Sequence, residues 1–143
     1  MAKTDMPTYK QKQALLFKPD AKPAELRSWG RRFLENGWIR DAILFLQKAE
    51  DREGLASVRK LMIEEGDVFL FRQALLGLDE TASEDEWRQL GDRAMTLGKL
   101  QFAREAYRMI GDRKSIDKID KLINPQVEEE APADSPVDEG QET

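Results

Sequence analysis

Apolar positions between residues 23 and 123 recur in a pattern that repeats three times. With Gly37, Gly66 and Gly98 set in register, Leu26, Leu55 and Trp87 align. Three residues on stand Trp29, Val58 and Leu90, then Phe33, Met62 and Ala94, followed by Leu34, Ile63 and Met95. The spacing i, i+3, i+7, i+8 predicts a helix with one buried stripe. Each glycine then predicts a stop, because glycine tolerates the left-handed conformation that ends a helix. A second helical pattern follows each stop: Ile39, Ala42, Phe45, Leu46 and Ala49; Val68, Phe71, Ala74, Leu75 and Leu78; Leu100, Ala103, Ala106, Tyr107 and Ile110. The unit is helix, tight turn, helix, and the glycines are spaced 29 and then 32 residues apart. Fixed-period self-similarity of this kind marks a repeat architecture.

The starts are marked as well. Ser83 and Glu86 have capping-box spacing ahead of Trp87. Asp20 and Pro23 stand before the first helix, where proline is tolerated. Past the third unit, Ile116, Ile119, Leu122 and Ile123 match the first helix of a further unit that has no second helix. They predict a lone capping helix over the end of the stack.

Outside this core lie two different ends. Residues 1–22 form a polar arm with Lys3, Lys10, Lys12, Lys18 and Lys22 and one apolar patch, Ala14-Leu15-Leu16-Phe17. Residues 124–143 carry seven acids, no base and no aromatic, a composition too poor in apolar surface to fold. The expected organisation is an N-terminal arm (1–22, partly ordered), a helical repeat domain (23–123) and an acidic disordered tail (124–143). The net charge of −5 belongs to the tail, since residues 1–123 hold 23 basic against 21 acidic side chains.

Composition narrows the chemistry. There is no Cys and no His, which removes disulfides, thiolate metal sites and the commonest general base. An enzyme is not expected, nor a cofactor or metal. The acid pairs Asp79-Glu80 and Glu84-Asp85-Glu86 suit helix N-terminal charge better than catalysis. The weak positive charge of the body and the acidic tail argue against nucleic acid. No apolar run is long enough to span a bilayer, and residues 1–12 lack a signal's apolar centre, so a soluble cytoplasmic protein with no membrane contact is expected.

The third unit, Trp87-x2-Leu90-Gly91 with Ala94, Gly98, Ala103, Tyr107 and Ile110, resembles the tetratricopeptide repeat, whose pattern runs W-x2-L-G-x2-Y and then A-x3-F. The first unit is similar to it through Trp29-Gly30, Phe33, Gly37, Ala42, Leu46 and Ala49. The second departs, with Arg59 and Phe71 where small residues are wanted, so its helices should cross differently. The closing proline is missing, and Asp51-Arg52-Glu53-Gly54 and Asp112-Arg113-Lys114-Ser115 stand in its place. Coatomer and clathrin-type solenoids share this looser pattern. The resemblance covers about 100 of the 143 residues.

It implies an all-α fold: a right-handed α-solenoid of about three helix-turn-helix hairpins plus a C-terminal capping helix. It also implies a non-enzymatic interaction module that binds a partner peptide or protein on the concave face of the first helices. By resemblance that face includes Arg27, Ser28, Arg31, Ser57, Lys60, Arg88, Gln89 and Asp92. Arg27, Arg31, Lys60 and Arg88 make it mildly basic, which favours an acidic or carboxylate-bearing partner. A solvated helix face accounts for the same charges. The acidic tail, Glu128 to Glu130 in particular, is a tethered competitor for those bases or a solubilising segment. Trp38 and Phe69 are candidate aromatic anchors, or are covered by Leu15-Leu16-Phe17 folding back. The alternative function is a small structural, self-associating subunit of a larger complex.

Overall fold

The computed structural model describes residues 6–126. Eight helices and no strand lie among them: α1 (Tyr9–Leu16), α2 (Pro23–Glu35), α3 (Ile39–Lys48), α4 (Arg52–Glu65), α5 (Val68–Leu78), α6 (Glu84–Thr96), α7 (Leu100–Met109) and α8 (Arg113–Ile123). The acidic segment from residue 127 onward lies outside the described residues. So do Glu128, Glu129 and Glu130.

Three hairpins, α2/α3, α4/α5 and α6/α7, account for the closest helix pairs. The first helices also neighbour one another in the order α2, α4, α6, and the second helices in the order α3, α5, α7. Helix α8 rests on α7. The aligned apolar stripes face inward: Phe33, Val58 and Leu90 on first helices and Phe45, Phe71 and Ala103 on second helices are fully buried. Burying such side chains at roughly 25 cal/mol per Å² is the main force holding the hairpins together. Ala94, Ala103, Tyr107, Ile116 and Ile119 form a separate cluster that ties α8 to the third hairpin.

The three glycine stops share one geometry. In each, the residue after the glycine donates its N–H to the carbonyl five residues back: Trp38 to Phe33 (2.9 Å), Asp67 to Met62 (3.0 Å) and Lys99 to Ala94 (2.8 Å). This closes the helix with a left-handed residue in the turn, and Gly66 has φ +67° with the Ala94 backbone 2.8 Å from where a Cβ would stand. The second helices end in the same way without glycine in two cases. Glu50 and Asp79 have positive φ, as does Gly111, and Asp51, Glu80 and Asp112 then bond back to Leu46, Leu75 and Tyr107.

Close helix crossing follows from small residues where the sequence places them. A Cβ at Gly30 would meet Leu46 at 2.7 Å, and one at Gly91 would meet Tyr107 at 2.9 Å. In the second hairpin Arg59 occupies the equivalent place and turns outward to the next unit, while Phe71 fills the interior and packs edge-on against Trp87 (5.1 Å). The Ser83–Glu86 capping box is present at α6. At α2 the N-cap is Lys22, with Pro23 in the first turn, and Asp20 lies outside the helix.

Residues 9–16 form a helix of their own. Thr8 and Gln11 make a capping box, and Leu16 is buried in the main core. Lys12 pairs with Asp41 of α3 at 2.9 Å. Phe17 stays exposed, with Lys48 above its ring.

Candidate partner-binding surface

The first helices carry the basic side chains that the repeat pattern singles out, and most of their charge is already directed within the chain. Asp51, the N-cap of α4, is buried and accepts the Gly54 amide at 3.1 Å. Arg31 on α2 donates Nε and Nη2 to its two oxygens at 2.8 and 2.9 Å, and Nη2 also reaches Glu53 at 3.3 Å. The two-pronged contact with Arg31 holds the Asp51 carboxyl below the ordinary carboxylate range. Arg27 lies farther off, 4.0 Å from the same carboxylate.

The next two units repeat the arrangement. Arg59 on α4 reaches Glu80 at 2.6 Å and Glu86 at 2.7 Å, and the Glu86 carboxyl is lowered by that bond. Arg88 on α6 meets Asp112, the N-cap of α8, at 3.0 Å. Asp112 is brought down to about 2, mainly by the Ser115 hydroxyl and amide and then by Arg88. The acids sit in strict register: Asp51, Glu80 and Asp112 each stand fourteen residues after Gly37, Gly66 and Gly98. An arginine of every first helix thus fastens the acid that follows its own hairpin, and in two of the three cases, Asp51 and Asp112, that acid also caps the next helix.

The remaining candidates are exposed. Ser57 donates its hydroxyl to the Glu53 carbonyl at 3.3 Å, and Gln89 donates to Asp85 at 2.6 Å. Lys60 is exposed on α4 and makes no ion pair among the described residues. Of the four candidate bases Arg27, Arg31, Lys60 and Arg88, the charge not held at close range by an acid among the described residues is therefore that of Lys60 and, in part, Arg27. Asp92 accepts the Tyr107 hydroxyl, and burial together with that bond raises the Tyr107 phenol above its ordinary range.

The two aromatic candidates are separated. Trp38 is 38% exposed, stacks on Phe33 at 5.7 Å and lies under Lys12 at 5.0 Å, so α1 covers it in part with a charged side chain. Phe69 is 46% exposed with Arg40 above its ring, in a shallow groove between α3 and α5 shared with Ile43, Leu44 and Gln73.

A larger feature has no counterpart among the sequence candidates. A cleft of about 740 Å³ opens between α5, the segment 79–82, the start of α6 and the end of α7. The signal for it was the lengthening of the glycine spacing from 29 to 32 residues. At the α3–α4 and α7–α8 junctions the acid after the turn caps the next helix directly. At the α5–α6 junction Glu80 is followed by Thr81, Ala82 and Ser83 before capping occurs, and the extra length lines the cleft.

Among the described residues no group of acidic, His or Cys side chains is arranged to hold a metal ion. No helix among them is long and apolar enough to cross a membrane. No protein-family model, no curated protein and no solved structure matches the chain.

Proposed function

We infer that the chain is a non-enzymatic protein-interaction module, a right-handed solenoid of three tetratricopeptide-like hairpins closed by α8. The partner peptide or protein is acidic or carboxylate-bearing and docks along α2, α4 and α6 near Arg27, Ser57, Lys60 and Gln89. The observation that carries this reading is the side-by-side order of the first helices, with Lys60 left exposed between neighbours whose own arginines are tied down. A charge held apart from its surroundings costs little to redirect, whereas Arg31 and Arg88 would have to abandon built-in acids. Arg31 and Arg88 thus act as fasteners and shape the face, while Lys60 and Arg27 supply the contact charge. Such contacts set orientation and specificity more than raw affinity.

The test is a selection of random displayed peptides on the full chain and on an Arg27→Glu, Lys60→Glu variant. Acid-rich sequences recovered by the first and lost by the second support the reading; recovery unaffected by the variant contradicts it. The self-associating subunit remains a second reading because Leu122 and Ile123 are exposed on α8. It is distinguished by a mass in solution that rises with concentration.

A further inference from the structure

The cleft beside α6 shares no lining residue with the proposed acidic-partner face and differs from it in chemistry. Its apolar lining is Leu75, Leu76, Ala82, Trp87, Met109 and Ile110. Leu76 is 70% exposed and Met109 is 44% exposed, so two large apolar side chains from α5 and α7 stand in water on its borders. Trp87, only 6% exposed, lies within it with the Arg72 guanidinium above the ring at 5.5 Å.

The charges around it decide what fits. Arg72 is held by Glu105 at 2.6 Å, and Glu80 is shared between Arg52 and Arg59 at 2.7 and 2.6 Å. Asp79 and Glu84 make no ion pair among the described residues, so the charge left over at the rim is negative. The chain's own residues 124–143, with seven acids and no base, are repelled by such a rim. A negative rim around an apolar floor complements an amphipathic segment whose apolar side chains are bordered by cations. The helix-in-groove mode meets that need, and methionine adapts to varied apolar partners.

We propose that this cleft is a second docking site, whose occupant is an amphipathic helical segment of a partner protein with Lys or Arg flanking its apolar face. The cleft lies where the α6 cap, Ser83, comes three residues after Glu80, whereas Asp51 and Asp112 cap α4 and α8 directly.

The experiment uses the full chain and two synthetic helical peptides that share one Leu/Met face, one bordered by Lys and Arg and the other by Glu. Fluorescence anisotropy at low ionic strength should show the Lys/Arg peptide binding about tenfold or more tightly than the Glu peptide, a preference that salt screens. Leu76→Glu with Met109→Glu should abolish its binding, whereas Leu44→Glu in the α3–α5 groove should leave it intact. Asp79→Asn with Glu84→Gln keeps the left-handed turn and should erase the preference between the two peptides, so the test survives even if the first pair of substitutions perturbs folding. Absence of binding by the Lys/Arg peptide, equal binding of both peptides by the unmodified chain, or loss of binding in the Leu44→Glu variant alone overturns the proposal. A concentration-dependent dimer dissolved by Leu76→Glu also overturns it, since a second copy would then be the occupant.

Discussion

At the scale of single residues, Asp51 does two jobs whose energies combine. It caps α4 through the Gly54 amide and receives both prongs of Arg31. Asp51→Ala should destabilise the chain by about 2–3 kcal/mol in urea unfolding, from the lost cap and the lost charge-assisted bonds. Arg31→Ala removes only a half-exposed partner and should cost about 1 kcal/mol or less. Equal costs would mean that the pair, rather than the cap, carries the energy. Glycines offer a second contrast. A Cβ at Gly30 presses on the Leu46 side chain and comes within 3.2 Å of its backbone nitrogen, while one at Gly77 meets the tip of Leu55 at 3.1 Å and the end of Gln47 at 3.7 Å. Gly30→Ala should therefore cost about 1–2 kcal/mol, and Gly77→Ala should fall near zero because helix propensity offsets the mild crowding. Thermal unfolding of the two variants measures the difference.

At the scale of elements, periodicity and glycine stops were legible because both follow from local geometry. Leu26, Leu55 and Trp87 lie one helical face from Phe33, Met62 and Ala94 whatever the rest of the chain does, and all six are buried. What lay beyond local reading was the use made of the ends. Asp51 and Asp112 stood in place of the closing proline, and their capping role was written three residues on, at Gly54 and Ser115, whose amides they accept. The engagement of Arg31 and Arg88 depends on where the next helix begins in space, and no stretch of sequence around either arginine contains that. The same holds for α1. Thr8-x-x-Gln11 carried its capping box in plain sight, yet the burial of Leu16 and the placement of Lys12 over Trp38 required the hairpin to be built first.

At the scale of the whole molecule, the ion pairs between units make stability below neutral pH depend on acid ionisation. There is no His to titrate near neutrality. Glu105, held down to about 2 mainly by Arg108 and then Arg72, and Asp112, at about 2, both ionise at lower pH in the folded chain than in an unfolded one, where carboxylates titrate near roughly 4. Their stabilisation is fully present above that unfolded value and disappears as pH falls through about 2. The melting temperature should stay level from about pH 8 to pH 5 and drop between about pH 4 and pH 2. A transition centred near pH 6 would contradict this assignment.

The same network explains why the proposed binding face is less basic than its sequence suggests. Four cations stand at the positions of interest, and the acids of the next turn claim two of them, Arg31 and Arg88. The most direct measurement of the central claim is calorimetric titration of a selected acid-rich peptide into the full chain, compared with Lys60→Glu and Arg88→Glu. Lys60→Glu should abolish binding, while Arg88→Glu should lower stability and leave the affinity of the folded fraction within about twofold, as expected for a charge already engaged inside the chain. Binding lost with Arg88→Glu and retained with Lys60→Glu would contradict it.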